Sequence, residues 1–328
     1  MNLHRASGNW RLGLGLSLTT ALCWATLPIA LKVVLDELDA ITLTWFRFLV
    51  ATVFTAAWLG LRGRLGGYAR LGGVGWGLLA LAGVMLLANY VFYLLGIQYT
   101  SPANTQLLIQ LAPLLMALGG IWVFGESFRA AQWIGFGMLV GGLVVFSLDQ
   151  WQGARGPGYL TGSLLVVVAA VTWAIYALLQ KQLLLKLGSM QILLFIYALS
   201  TLALWPFATP SALLRLDGLH WLLLGYCAFN TIGAYGAFAE ALAHWEASKV
   251  SVVLATTPLL CIAASAAVAV LWPGWLAPER IDTLGWAGAL LVVAGSVTVS
   301  LLGRRRAAPV VTTLPPSIPP EPTAGELR

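Results

Sequence analysis

Long apolar runs separated by short polar breaks dominate the chain, and the length of each run is the first guide to its structure. A bilayer core needs roughly 20 apolar residues per helix. That ruler gives spans at 12–34, 41–61, 74–98, 102–124, 130–148, 159–183, 190–208, 219–243, 248–271 and 283–302. The breaks hold turn-forming residues: Asp36 to Asp39, Gly63 to Gly73, Thr100-Ser101-Pro102, Gly153 to Gly158, Pro210 to Asp217 and Pro273 to Asp282. The pattern predicts an all-α polytopic membrane protein with ten transmembrane helices and no place for strands.

The chain also repeats itself. Ala112-Pro113-Leu114-Leu115 returns 145 residues later as Thr257-Pro258-Leu259-Leu260. Ala21 to Trp24, Ala25 and Lys32 match Ala170 to Trp173, Ala174 and Lys181 at a spacing of 149, and Trp133-Ile134-Gly135 matches Trp286-Ala287-Gly288 at 153. Gly125-Glu126 falls opposite Pro278-Glu279. Each half contains an odd number of helices, five, so the second enters the membrane from the opposite side and the repeats are inverted. The expected division is a cytoplasmic N-terminus (1–11), a first five-helix repeat (12–148), an external linker (149–158), a second repeat (159–302) and a disordered cytoplasmic tail (303–328). Pro113 and Pro258, in the middle of their spans, are expected to kink their helices, which only a packed bundle or a watered cavity tolerates at that depth.

Composition fixes the solvent. With 59% hydrophobic and 9% charged residues and a mean hydropathy of +0.86, 328 residues cannot form one soluble domain. With the N-terminus inside, thirteen Lys and Arg fall on the cytoplasmic side and four (Lys32, Arg155, Arg215, Arg280) outside, with Arg47 within a span. The positive-inside rule then makes both termini cytoplasmic, in the plasma or inner membrane. The N-terminal residues lack a small-residue cleavage pattern, so the first helix is expected to stay. Arg304-Arg305-Arg306 reads as an anchor at an anionic leaflet, and the Pro-rich stretch after it cannot build a core. The net charge of +6 has no basic, aromatic-laced domain behind it, which excludes nucleic acid as a partner. Cys23, Cys227 and Cys261 all lie in apolar spans and suggest neither a disulfide framework nor a metal site.

Polar residues inside the spans are the candidate chemistry. Gln106, Gln110 and Pro113 occupy i, i+4 and i+7 of the fourth helix, one stripe that hydrocarbon would penalise. Asn89, Tyr93 and Gly96 form a matching stripe on the third helix, with Tyr90 beside it. In the second half Ser251, Ala255 and Pro258 repeat the fourth-helix geometry, Thr172 and Tyr176 mark the sixth helix, and Tyr235 falls opposite Tyr90. Trp24 and Trp173, at matching positions, complete a candidate substrate path. The competing reading is plain helix-to-helix hydrogen bonding. Arg47 lies about 9 Å below the outer end of its helix at 1.5 Å per residue; it suits a substrate-facing charge and a structural donor equally. Glu240 is a proton-coupling candidate if burial raises its pKa, and an i, i+4 partner of His244 if not.

Trp24-Ala25, Lys32, Arg47, the paired prolines and Gly125-Glu126 together resemble the EamA domains of the drug/metabolite transporter superfamily, over residues 12 to 302. Two departures are Pro278-Glu279 in place of Gly-Glu, after an insertion bearing Trp272-Pro273-Gly274-Trp275, and Ala25 where the family often has glycine. The resemblance implies a secondary transporter or exporter of small metabolites such as amino acids, with no cofactor. An enzyme is disfavoured: His220 and His244 bracket one helix roughly 36 Å apart, and no catalytic triad, carboxylate dyad or phosphate loop stands out. A channel or membrane-embedded sensor is the remaining alternative, although no charged ring or filter-like loop is present.

Overall fold

The computed structural model describes residues 9–124, 130–152, 158–244, 250, 253–276 and 281–302, and among these every regular element is helical. The long helices are α1 (Trp10–Val34), α2 (Ala40–Leu61), α3 (Gly73–Tyr99), α6 (Ala130–Gln152), α7 (Tyr159–Leu183), α8 (Ser189–Leu204), α9 (Gly218–His244) and α11 (Thr283–Leu302). Between them lie α4 (Pro102–Leu108), α5 (Leu111–Phe124) and α10 (Thr257–Leu271). Six segments are long and apolar enough to cross a bilayer by length and composition, and two shorter apolar helices accompany them. Their starts are set by local chemistry. Asp39 Oδ1 accepts from Ile41 N and Thr42 N at 3.0 and 2.9 Å, and Ser101, followed by Pro102 at the first helical position, accepts from Asn104 N at 3.2 Å. The helix bodies are apolar on all sides. Leu31, Leu43 and Phe48 are fully buried, while Leu22, Val53 and Leu202 are exposed, an arrangement that hydrocarbon accepts and water does not.

Two expected spans are interrupted. Residues 102–124 form two helices, with Ile109 and Gln110 in a turn between α4 and α5. Pro113 has no N–H to offer Ile109 O. Ala112 N takes Ile109 O instead at 2.9 Å, and Gln110 N takes Leu107 O at 3.1 Å, both contracted i→i−3 bonds. The span 248–271 breaks in the same way: residues 253–255 are helical, Thr256 N turns back to Val253 O at 3.1 Å, and α10 starts with Pro258 as its second residue. The prolines therefore sit just after breaks rather than at kinks in continuous helices. It follows that Gln106 and Gln110 do not share one helical stripe. Two boundaries also move, because α8 ends at Leu204 in 3-10 turns (Trp205–Phe207, Pro210–Arg215) and α6 runs to Gln152, into the expected linker. The rest of that linker (153–157), Glu126, Glu279, Ser251 and the tail from 303 lie outside the described residues.

The packing repeats at the spacings found in the sequence. α1 and α7 are both 25 residues long and start 149 apart; α3 and α9 are both 27 long and start 145 apart. Principal contacts come in matching pairs: α3 on α7 answers α1 on α9, α5 on α7 answers α1 on α10, and α3 on α8 answers α2 on α9. Two crossings pair an element with its own counterpart. In α2 on α8, Thr52 and Thr201, 149 apart, share a 3.3 Å hydroxyl contact, and Phe48 lies 5.7 Å from Tyr197, ring to ring, at the same spacing. In α6 on α11, glycines let the backbones touch: a Cβ at Gly142 would lie 2.7 Å from Gly288 O, and one at Gly135 would lie 2.9 Å from Gly295 O.

Candidate functional site

The short helix α4 sits at the centre of the bundle. It touches α1, α3, α6, α7 and α10, and all seven of its residues are buried. Ser101 and Pro102 start it and the Pro113-driven break ends it, so the sequence itself places a helix terminus in the middle of the fold.

Two sets of polar contacts start from α3, one to α4 and one, through Arg47, to α9. Gln106 on α4 accepts from Tyr93 Oη at 3.4 Å. Tyr90, one turn back on α3, carries the Arg47 guanidinium over its ring at 4.8 Å and meets Phe48 at 4.6 Å, ring to ring, tilted by 38°. Arg47 is 3% exposed. Its Nε donates to Cys227 O at 3.3 Å and Thr231 Oγ1 at 3.2 Å, and its Nη2 to Thr231 Oγ1 at 3.0 Å. Thr231 in turn donates to Cys227 O at 3.1 Å. Gln110, in the turn after α4, has its Nε2 buried with no acceptor among the described residues. Arg47, Tyr90 and Thr231 are brought together by α2, α3 and α9, and Gln106 and Tyr93 by α4 and α3.

The other candidates are placed differently. Asn89 donates to Ala169 O at 2.8 Å, the carbonyl that Thr172 Oγ1 also reaches at 3.0 Å, so it pins α3 to α7. Trp24 packs on Phe238 at 5.8 Å, and Trp173 meets Tyr176 edge to face at 6.5 Å within α7. Pro258 is buried at the start of α10. Ser251 and the side chains of Tyr235 and Pro113 are outside the described residues. Glu240 is 63% exposed at the end of α9 and meets His244 Nε2 at 3.1 Å, which is the helix-end pair and not a desolvated carboxyl.

One polar cluster was not anticipated from the sequence. Thr26 Oγ1 and Tyr226 Oη are 2.6 Å apart, and Asn230 Nδ2 donates to Cys23 O at 2.9 Å and Tyr226 Oη at 3.1 Å. The signal existed: Tyr226 and Asn230 stand at i and i+4 inside an apolar span, the same spacing that drew attention to the glutamines. Thr26 and Tyr226 edge a groove of about 170 Å³ whose walls, Ile29, Ala30, Leu223 and Val268 among them, are otherwise apolar. A second groove, along Leu108, Leu111 and Val140, is apolar too, and neither is lined by the predicted site residues. At the bundle's edge, Asp217 accepts from His220 N and pairs with its ring, which holds its carboxyl below the usual range, far from the central groups. Among the described residues no three His, Cys, Asp or Glu side chains converge as a metal site would require. The described centre thus offers hydrogen-bond donors, aromatic faces and the Arg47 guanidinium.

Known proteins place this arrangement. The protein named "Uncharacterized inner membrane transporter YhbE" from Escherichia coli K12 is 38% identical over 300 residues, covering 90% of this chain and 92% of that protein. An "Uncharacterized transporter" of Haemophilus influenzae is 34% identical over 296 residues, 90% and 96% of the two chains, and one of Archaeoglobus fulgidus is 28% identical over 283 residues, 84% and 93%. A solved crystal structure, 22% identical, superposes with a TM-score of 0.60 over 92% of this chain and 100% of its own, a likeness of fold. The sequence profile described as "EamA-like transporter family" matches twice, at residues 11–148 and 160–301. The chain belongs to the EamA-like transporter family.

Proposed function

We propose that the protein is a secondary transporter of the inner membrane that moves small polar metabolites, in the export direction, by alternating access around α4. In this reading residues 12–148 and 159–302 are two inverted five-helix repeats, ten spans in all, with both termini cytoplasmic. The observation that carries it is the pair of helix breaks, at Gln110 and Thr256, beside buried polar groups in the bundle centre. Broken helices at the meeting of two inverted repeats are how secondary transporters build a midplane site, since freed backbone groups and polar side chains face the cavity. The paired helix contacts support the same reading, because exchanging the environments of the two halves is what opens one side and closes the other. Relatives named as inner membrane transporters support the location.

Gln110 provides the test. An amide whose Nε2 is buried without an acceptor costs folding free energy of about 1–3 kcal/mol, so Gln110→Leu is expected to leave insertion and folded yield intact or improved. Saturable flux in proteoliposomes should fall at least tenfold per folded molecule. Unchanged flux in that variant would assign Gln110 to packing and remove α4 from the path. A channel would instead show non-saturable flux with no dependence on a coupling gradient.

A further inference from the structure

We infer that Arg47 is an anion-binding group of the substrate path, and that the substrate class is a small monocarboxylate held by the guanidinium fork. The inference rests on the transporter reading above.

The fold contains its own control. The α2–α9 crossing that holds Arg47 has a counterpart in α8–α3. At the spacings of 149 and 145, Arg47, Cys227 and Thr231 correspond to Ile196, Ala82 and Leu86. All three counterparts are apolar and at most 2% exposed. The same crossing therefore closes without a charge, a hydroxyl or a side chain-to-carbonyl bond. Packing does not call for an arginine at this place.

Its cost does call for an explanation. A cation within a span is expensive unless it is paired or watered. The protein partners of Arg47 are all neutral: one hydroxyl, one carbonyl and one aromatic face. No Asp or Glu among the described residues bonds to it. Of the five N–H groups of a guanidinium, the Nε–H and one on Nη2 find acceptors; the remaining three find none among the described residues. The Tyr90 ring centroid lies 4.8 Å from Cζ and Thr231 occupies the Nε/Nη2 edge, so the Nη1/Nη2 end of the fork is the edge left for a ligand. That edge matches a carboxylate in two parallel bonds. The site therefore presents donors in excess of acceptors, which a carboxylate supplies. A single cation balances a single negative charge, which favours a monocarboxylate over a phosphate dianion.

The test compares matched probes in wild type and in a variant that imports the apolar counterpart, Arg47→Ile, Cys227→Ala and Thr231→Leu together. The probes are L-leucine with L-leucinamide and L-lactate with L-lactamide, followed as proteoliposome flux and as thermal stabilisation of the detergent-solubilised protein. For the wild type, a carboxylate probe should be preferred at least tenfold over its amide in both measurements. The triple variant should fold as well as the wild type and lose that preference. Arg47→Lys, which keeps charge without the fork, should raise the apparent KM about tenfold at unchanged kcat. Stabilisation by carboxylates without flux would keep the anion site and overturn the transporter reading. Saturable flux without carboxylate preference would do the reverse. Neither effect would overturn both, and a triple variant that fails to accumulate folded would overturn the inference by making Arg47 structural.

Discussion

Lys32 donates its ammonium to Ile97 O, Gln98 O and Thr100 O at 2.8, 2.7 and 3.1 Å, closing the C-terminal end of α3 from the side of α1. Helix ends leave carbonyls unpaired, and a cation there answers both the hydrogen-bond deficit and the helix dipole. Lys32→Met keeps the apolar stem and removes the donor. The expected cost is about 1 kcal/mol, at the low end for lost charged hydrogen bonds because water reaches this helix end. Thermal unfolding in detergent should show a midpoint lower by a few degrees, with the carboxylate preference argued for Arg47 intact. A variant as stable as wild type would mean the three carbonyls are equally well hydrated. The two cations thus differ: Lys32 caps a helix end, whereas Arg47, which the sequence left open between a substrate-facing charge and a structural donor, is buried among neutral groups.

At the scale of elements, the α6–α11 contact shows how far glycine placement controls packing. Gly142 faces Gly288 and Gly135 faces Gly295 across two backbones, so Gly142→Ala or Gly288→Ala must push the helices apart. Overpacking of this kind costs about 1–3 kcal/mol. Gly137→Ala, on the exposed side of α6 with nothing within 4 Å of an added Cβ, should be neutral or stabilise by about 0.5–1 kcal/mol through lower unfolded-chain entropy. Folded yield and melting temperature of the three variants check the contrast; equal losses would show that helix propensity, not close approach, governs these sites. The interrupted helices belong to the same scale. The prolines were visible in the sequence, but whether a helix bends through a proline or stops before it depends on what occupies the gap. Here Ala112 N takes up Ile109 O, the carbonyl that Pro113 frees, and the Thr257 hydroxyl takes up Leu254 O, the one that Pro258 frees.

For the whole molecule, the proposed topology puts the α1–α2 and α8–α9 connections on one side of the membrane and the α2–α3 and α7–α8 connections on the other. Cysteines introduced at Asp36 and Ser211 should react with an impermeant thiol reagent in intact cells, and those at Arg64 and Gly188 only after permeabilisation. The native Cys227 and Cys261 are buried and Cys23 half-buried, so they add little background. Labelling of Arg64→Cys from outside would invert the orientation, and labelling of Asp36→Cys and Arg64→Cys from the same side would remove the alternation on which inverted repeats depend.

The sequence by itself determined the helical membrane architecture and the repeat spacing, because both follow from one-dimensional quantities: the length of apolar runs against bilayer thickness, and recurring residues at fixed intervals. It also determined which polar side chains stand inside spans. Which of them meet was decided only by the tertiary structure. Asn89 pins α3 to α7 and Glu240 pairs at a helix end, while Thr231 anchors Arg47 and its sequence neighbour Asn230 bonds instead to Cys23 O. Helix rotation and crossing angle choose those partners, and they arise from side-chain packing between segments up to 184 residues apart, which no local pattern encodes.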